Sequence, residues 1–266
     1  MKQSLGKLER KLFAYAQLRG LTKLYSEDLV QALGIRPEQE KRLFARLAAA
    51  RMIARVRRGL YLVPKKLPLG GVWTPSEGEA LNALMQDKAG RYQICGLNAF
   101  NRYGYDEQIP NRVYAYNNRL YGDRTIGAVS ITLIKVADKR LGAMDEFRTS
   151  EGESVFYSSR VRTLVDAVYD WSRFDSLPRA YRWIRSDLQK GKVSARELTT
   201  TALTFGDVGT RRRIGYLLEQ EGIDEKLLKQ MERSLKPTSA YIPWNPRKPK
   251  RGRLIPRWAV IDNEQD

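Results

Sequence analysis

SEDLVQALGIRPEQEKRLFARLAAARMIARVRRGLYLV, residues 26–63, decides the fold of the first part of the chain. Ser26-Glu27-Asp28 reads as a helix start: a capping hydroxyl followed by acids in the first turn, where the helix dipole favours them. Leu29, Val30 and Leu33 form its apolar face. Gly34 ends it, because glycine readily takes positive φ, and Pro37 opens the next helix where a missing N–H costs nothing. That helix runs to about Ala50. Leu43, Phe44 and Leu47 face one way; Glu38, Lys41, Arg42, Ala45 and Ala49 face the other, with Arg46 at the margin. Two strand-like runs follow, Met52–Val56 and Leu60–Val63, joined through Arg57-Arg58-Gly59, a hairpin tip with glycine at the turn. Upstream, Leu5, Leu8, Leu12, Tyr15 and Ala16 recur at helical spacing up to about Gly20.

Helix, helix, glycine turn, helix and basic-tipped hairpin is the order of a winged helix-turn-helix. A helix fits the major groove of B-DNA, and its outer side chains reach base edges. The expected DNA contacts are Arg36, Gln39, Lys41, Arg42 and Arg46 on or beside the third helix, and Arg55, Arg57 and Arg58 on the hairpin. Small Ala45 and Ala49 allow close approach. The charge distribution agrees. Residues 1–66 hold 16 Lys+Arg against 5 Asp+Glu, a net +11 out of +18 for the chain. Residues 67–235 carry +3 and residues 236–266 carry +4. A surplus so concentrated suits a polyanion.

Pro64-Lys65-Lys66-Leu67-Pro68-Leu69-Gly70-Gly71 breaks both helix and strand and is the expected boundary. It divides the chain into residues 1–66 and 72–266, each side expected to fold alone. Thr74-Pro75-Ser76-Glu77 starts a helix to about Asp87. Strands are expected at Tyr92–Cys95, Arg112–Tyr116, Ala128–Val136 and Val155–Tyr157, with a helix from Gly96 to Tyr103. From Ser159 the chain turns helical, with further helices at about 177–190, 194–205, 207–221 and 224–235. Strands followed by helices give an α+β fold. Arg257–Ile261 reads as a final strand returning to the sheet.

Several chemistries are excluded or disfavoured. Histidine is absent, which removes imidazole-based nucleophile designs and ordinary zinc sites. Cys95 is the single cysteine, so no internal disulfide forms, in keeping with a reducing cytoplasm. No apolar run approaches a membrane span, and the N-terminus lacks the apolar stretch of a signal peptide. Asp145, Glu146, Glu151 and Glu153 include a possible metal-binding pair, but read first as a solvated hairpin. No phosphate-binding glycine loop or nucleophile elbow is present. No enzymatic activity, cofactor or metal is expected. Arg211-Arg212-Arg213 opens an amphipathic helix, read either as a solvated face or as a second nucleic-acid or acidic contact.

Five stretches, taken in order, carry a family resemblance. They are Arg58-Gly59-Leu60-Tyr61-Leu62-Val63-Pro64; Gly96-Leu97-Asn98-Ala99-Phe100 with Ile109-Pro110 and Val113–Tyr116; Ser159–Asp166; Thr210–Glu219; and Arg257–Asn263. Together they resemble the AbiEi-like antitoxins of type IV toxin–antitoxin (abortive-infection) systems. The basic, proline-rich segment 247–257 stands outside them. The resemblance implies a repressor that binds the operator of its own operon, and a second domain that opposes a nucleotidyltransferase-like toxin without a stable complex. On that basis Arg211, Arg212, Arg213 and Glu219 are the expected antitoxin surface, with Arg212 and Glu219 on the helix's outer face. Two alternatives share the composition: a winged-helix transcription factor sensing a ligand through the Tyr-rich region 92–121, and a winged-helix-targeted nuclease.

Overall fold

The computed structural model describes residues 5–68, 71–149 and 152–264; Leu69 and Gly70 of the expected linker and Glu151 of the acidic hairpin lie outside the described residues. The chain is α+β and divides into two compact units. The first holds residues 1–92, 111–136 and 146–156; the second holds 93–110, 137–145 and 157–266.

The first unit begins with α1 (Lys7–Leu18), β1 (Lys23–Tyr25), α2 (Asp28–Leu33), α3 (Pro37–Ala49), β2 (Ala54–Arg57) and β3 (Leu60–Leu62). The three strands pair antiparallel in the order β1-β3-β2. β1 has only three residues, too few for a legible alternation. The apolar stripes of the three helices converge: Leu12 and Ala16 of α1, Leu29 of α2, and Leu43, Phe44 and Leu47 of α3 are all buried. Each leucine or phenylalanine among them contributes about 1.5–3 kcal/mol by leaving water. Phe44 stacks on Tyr61 of β3 at 4.4 Å between centroids, which ties α3 to the hairpin. Gly34 ends α2 at φ +62°, and Gly59 turns the hairpin at φ +79°.

The start of α2 differs from expectation. Ser26 does not cap it; its own N–H donates to the carbonyl of Gly59 at 3.1 Å. The N–H groups of Glu27 and Leu29 donate instead to the two carboxylate oxygens of Glu40, at 2.8 and 2.9 Å. Glu40 lies on α3, 3% exposed. A carboxylate outcompetes a hydroxyl here because its acceptors carry charge and meet the positive end of α2.

Beyond Pro75 come α4 (Glu77–Asp87), β4 (Tyr92–Ile94), α5 (Gly96–Arg102), β5 (Val113–Asn117), β6 (Gly122–Ile126), β7 (Val129–Lys135), β8 (Met144–Arg148) and β9 (Ser154–Ser158). Ser76 caps α4 in a reciprocal pair with Glu79, as Thr74–Glu77 predicts. Within the first unit β7 pairs parallel with β5 and antiparallel with β6. β6 and β8 escape the sequence reading: their polar residues Asp123, Arg124, Asp145 and Glu146 mask the strand pattern. The expected domain boundary at 64–71 is not where the units divide. Residues on both of its sides belong to the first unit, and Trp73 N–H donates to Arg51 O at 2.7 Å. Proline and glycine stop an element without preventing the next from packing back.

In the second unit, α5 is followed by α6 (Arg160–Tyr169), α7 (Trp171–Phe174), α8 (Arg179–Gln189), α9 (Ala195–Phe205), α10 (Val208–Gln220) and α11 (Glu225–Arg233). The chain then closes with β10 (Ile242–Pro243), β11 (Arg253–Ile255) and β12 (Val260–Asp262). Ile94 of β4 pairs in parallel with Tyr157 of β9. The buried Arg162 of α6 bonds Asp166 at 2.9 Å and the carbonyls of Arg140 and Gly142. The final strand is 260–262 rather than 257–261, and it does not return to the strands of the middle region. It forms a separate sheet, β10-β12-β11.

The largest correction concerns α10. Arg212 and Arg213 are each 7% exposed, not displayed. Arg211 donates to Leu203 O, Arg212 to Ala240 O and Arg213 to Pro243 O. Glu219 accepts from Trp258 Nε1 and Arg257, both at 2.9 Å. A Cβ on Gly215 would come within 2.3 Å of the Trp258 ring, so glycine is what lets the helix approach it. α10 is packed on nearly every side, and its cations cap carbonyls of the chain that covers it. The set Arg211, Arg212, Arg213 and Glu219 is therefore structural, and replacing the three arginines with alanine would remove buried bonds.

This architecture predicts that Glu40→Ala lowers stability by about 2–4 kcal/mol, because two buried N–H groups lose a charged acceptor. Glu38→Ala, in the exposed first turn of the same helix, should stay within about 0.5 kcal/mol. Denaturant midpoints at unchanged m-value read both.

Candidate nucleic-acid interface

The outer face of α3 matches its periodicity. Lys41, Arg42, Ala45, Arg46 and Ala49 are exposed, while Leu43, Phe44 and Leu47 point inward. On the hairpin, Arg55, Arg57 and Arg58 are exposed. Between α3 and the hairpin runs a groove of about 350 Å3, lined by Pro37, Lys41 and Ala45 on one side and Arg55, Arg58 and Tyr61 on the other.

The eight expected contact residues separate into two groups. Lys41, Arg42, Arg55 and Arg58, together with exposed Arg36, have no ion-pair partner among the described residues. The other three are committed within the protein. Gln39 accepts the N–H of Arg36 at 3.0 Å and fixes the start of α3. Arg46 pairs with Glu9 at 2.9 Å, and the other oxygen of Glu9 takes the N–H of Gly6 at the head of α1. Arg57 grips Asp87 at the end of α4: its Nε lies 2.8 Å from both carboxylate oxygens, and its Nη1 donates to Arg58 O at 2.7 Å. The Arg57 guanidinium holds the Asp87 carboxyl below the usual carboxylate range, and Asp87 raises Arg57 in turn. Arg57 thus anchors the hairpin tip instead of offering a free cation. Lys23 of β1 adds a hydrogen bond to Gln86 on the same helix.

Sequence reasoning missed Glu40 and Asp87, which position this face. Glu40 had a signal: with Leu43, Phe44 and Leu47 it completes an i, i+3, i+4, i+7 stripe, so an acid sat in the apolar register. Asp87 had none, since 30 residues separate it from Arg57.

Elsewhere the acids and aromatics have internal roles. Asp145 accepts from Tyr103 OH at 2.9 Å, Glu146 from Ser154, and Glu153 pairs with Lys65 at 3.4 Å. No cluster of three or more metal-ligating side chains occurs among the described residues. Tyr92 and Tyr116 are buried core, and Tyr105 stacks on Trp183 at 5.3 Å. No described helix is long and apolar enough to cross a membrane.

Residues 17–150, which take in most of this interface, match the model of a family of unknown function, DUF6088. The chain belongs to DUF6088. Among solved structures it is similar to the RV2827C protein from Mycobacterium tuberculosis, at 14% identity and a TM-score of 0.62, over 98% of this chain and 92% of that one. That likeness shows the fold. No curated protein matches the chain.

The Arg57–Asp87 pair gives a pH prediction for this DUF6088 chain. Asp87 has its carboxyl pulled down in the fold, so its contribution is complete above the unfolded carboxyl value, about 3.9. It is lost as pH falls through the lower folded value. The Asp87 carboxyl carbon signal in NMR should titrate with a midpoint below about 3.9, and a slowly exchanging Arg57 Nε–H signal should be present at neutral pH and absent there in Asp87→Asn. Persistence of that signal in Asp87→Asn would show that the tip is anchored otherwise.

Proposed function

We propose that the chain is a DNA-binding transcriptional repressor whose first unit reads an operator as a winged helix-turn-helix, α3 entering the major groove and the β2–β3 hairpin acting as the wing. One observation carries the reading. Lys41, Arg55 and Arg58 line one groove, Arg42 is exposed beside Lys41 on α3, and none of the four has an ion-pair partner among the described residues, while the neighbouring Arg46 and Arg57 each have one. Unpaired cations on a rigid helix and hairpin suit the phosphates and base edges of a duplex. The element order and the +11 excess of residues 1–66 point the same way. The partner is double-stranded DNA, with the promoter of its own operon as the operator.

The antitoxin role rests on the resemblance of sequence landmarks to AbiEi-like proteins, and we carry it as part of the same proposal: the second unit opposes a nucleotidyltransferase-like toxin without a stable complex. Arg211, Arg212, Arg213 and Glu219 no longer serve as its surface, because they hold α10 in place.

The test uses the full chain and a duplex from upstream of its own gene. Binding should weaken steeply with salt, and Arg58→Gln should lower the log–log salt slope by about 0.9. Arg42→Gln should cost about 1–3 kcal/mol and relax sequence preference. Absent or salt-insensitive binding would overturn the repressor reading. In cells producing a nucleotidyltransferase-like neighbour gene, a chain carrying both substitutions should still protect growth. Protection lost in step with operator binding would confine the protein to transcription.

A further inference from the structure

The segment 247–257, basic and proline-rich, is not absorbed by α3 and the hairpin. It lies in the second unit, where it follows β10 and takes in β11. Between Asn245 and Ile261 it contains no acidic residue. Its backbone is clamped. The side chain of Asn263, 2% exposed, donates to Asn245 O and Pro249 O at 2.9 Å and accepts the N–H of Asn245 at 2.8 Å. Asn245 Oδ1 takes the N–H of Arg247 at 3.0 Å, and the N–H of Arg251 donates to Pro249 O at 2.8 Å. At Gly252 a Cβ would lie 2.1 Å from the backbone oxygen of Asp262, so the loop meets β12 at a point only glycine allows.

This fixed loop displays Lys248, Lys250, Arg251 and Arg253, all exposed and none with an ion-pair partner among the described residues. The cations on either side are treated differently. Arg247 pairs with Asp175, and Arg257 gathers Glu219, Glu225 and Glu232 within 3.0 Å. Like charges held close on a rigid backbone repel, and pre-ordering them lowers the entropy cost of binding a polyanion.

We propose that the 247–253 loop is a second phosphate-binding surface, through which Lys248, Lys250 and Arg251 grip the backbone of duplex DNA independently of sequence. The choice of DNA over an acidic protein rests on the reading of α3 and the hairpin given above.

The experiment measures the salt dependence of binding of a short duplex of arbitrary sequence to four full-length chains. They are the wild type, Lys248→Gln/Lys250→Gln/Arg251→Gln, Arg42→Gln/Arg55→Gln/Arg58→Gln, and all six changes together. The loop triple should lower the log–log slope by up to about 2.7, at about 0.9 per phosphate contact, with an unchanged thermal midpoint. The α3–hairpin triple should retain residual binding that the six-fold variant loses. An unchanged slope in the loop triple overturns this proposal alone. Binding of this duplex that depends only on the loop upholds it, and absence of binding by the wild type overturns it; the operator reading is decided separately, on the operator duplex.

Discussion

The carboxylate of Glu40 governs the geometry of the first unit. Buried on α3, it accepts two N–H groups from the start of α2 and so sets one helix against the other. A charge in that position is tolerated only because both oxygens are bonded and the helix dipole is favourable. With α2 and α3 locked, Phe44 stacks on Tyr61 and the hairpin takes its place beside α3. The groove between them, and the cations along it, follow from that arrangement. Glu9 and Asp87 act at the margins, the first tying α3 to α1 through Arg46, the second tying the hairpin tip to α4 through Arg57.

An excess of +18 is spread over cations with two different fates. Some are neutralised and build the fold: Arg162 with Asp166, Arg257 with three glutamates, Arg57 with Asp87. Others are exposed with no ion-pair partner among the described residues: Lys41 and Arg42 on α3, Arg55 and Arg58 on the hairpin, and Lys248, Lys250 and Arg251 on the closing loop. Net charge alone does not separate the two kinds. The position of each carboxylate does.

Local signals were legible and distant ones were not. Gly34 and Gly59 mark turns whose positive φ values bear out the reading, Pro37 opens α3, and the stripes of α1 and α3 give the first core. The α+β class and the helices after Ser159 follow from periodicity. The exposed face of α3 was also readable. What sequence could not show was pairing across long separations. Arg57 looked like a free wing cation because Asp87 lies on another helix, and Arg212 looked exposed because Ala240 and Pro243, whose segment covers α10, lie more than a helix away in sequence. Burying an arginine by bonding it to carbonyls leaves no apolar trace. The expected boundary at 64–71 failed for a related reason: composition reports where elements stop, not what packs against what.

The central claim is that α3 and the hairpin form the duplex-contacting face. Mapping backbone amide shifts of the full chain by NMR, as operator duplex is added, tests it most directly. The account predicts that the largest changes cluster at Lys41–Ala49 and at Arg55–Gly59, with the buried stripe through Leu43 and Leu47 moving less than its exposed neighbours. Changes that avoid both segments while binding proceeds would contradict it.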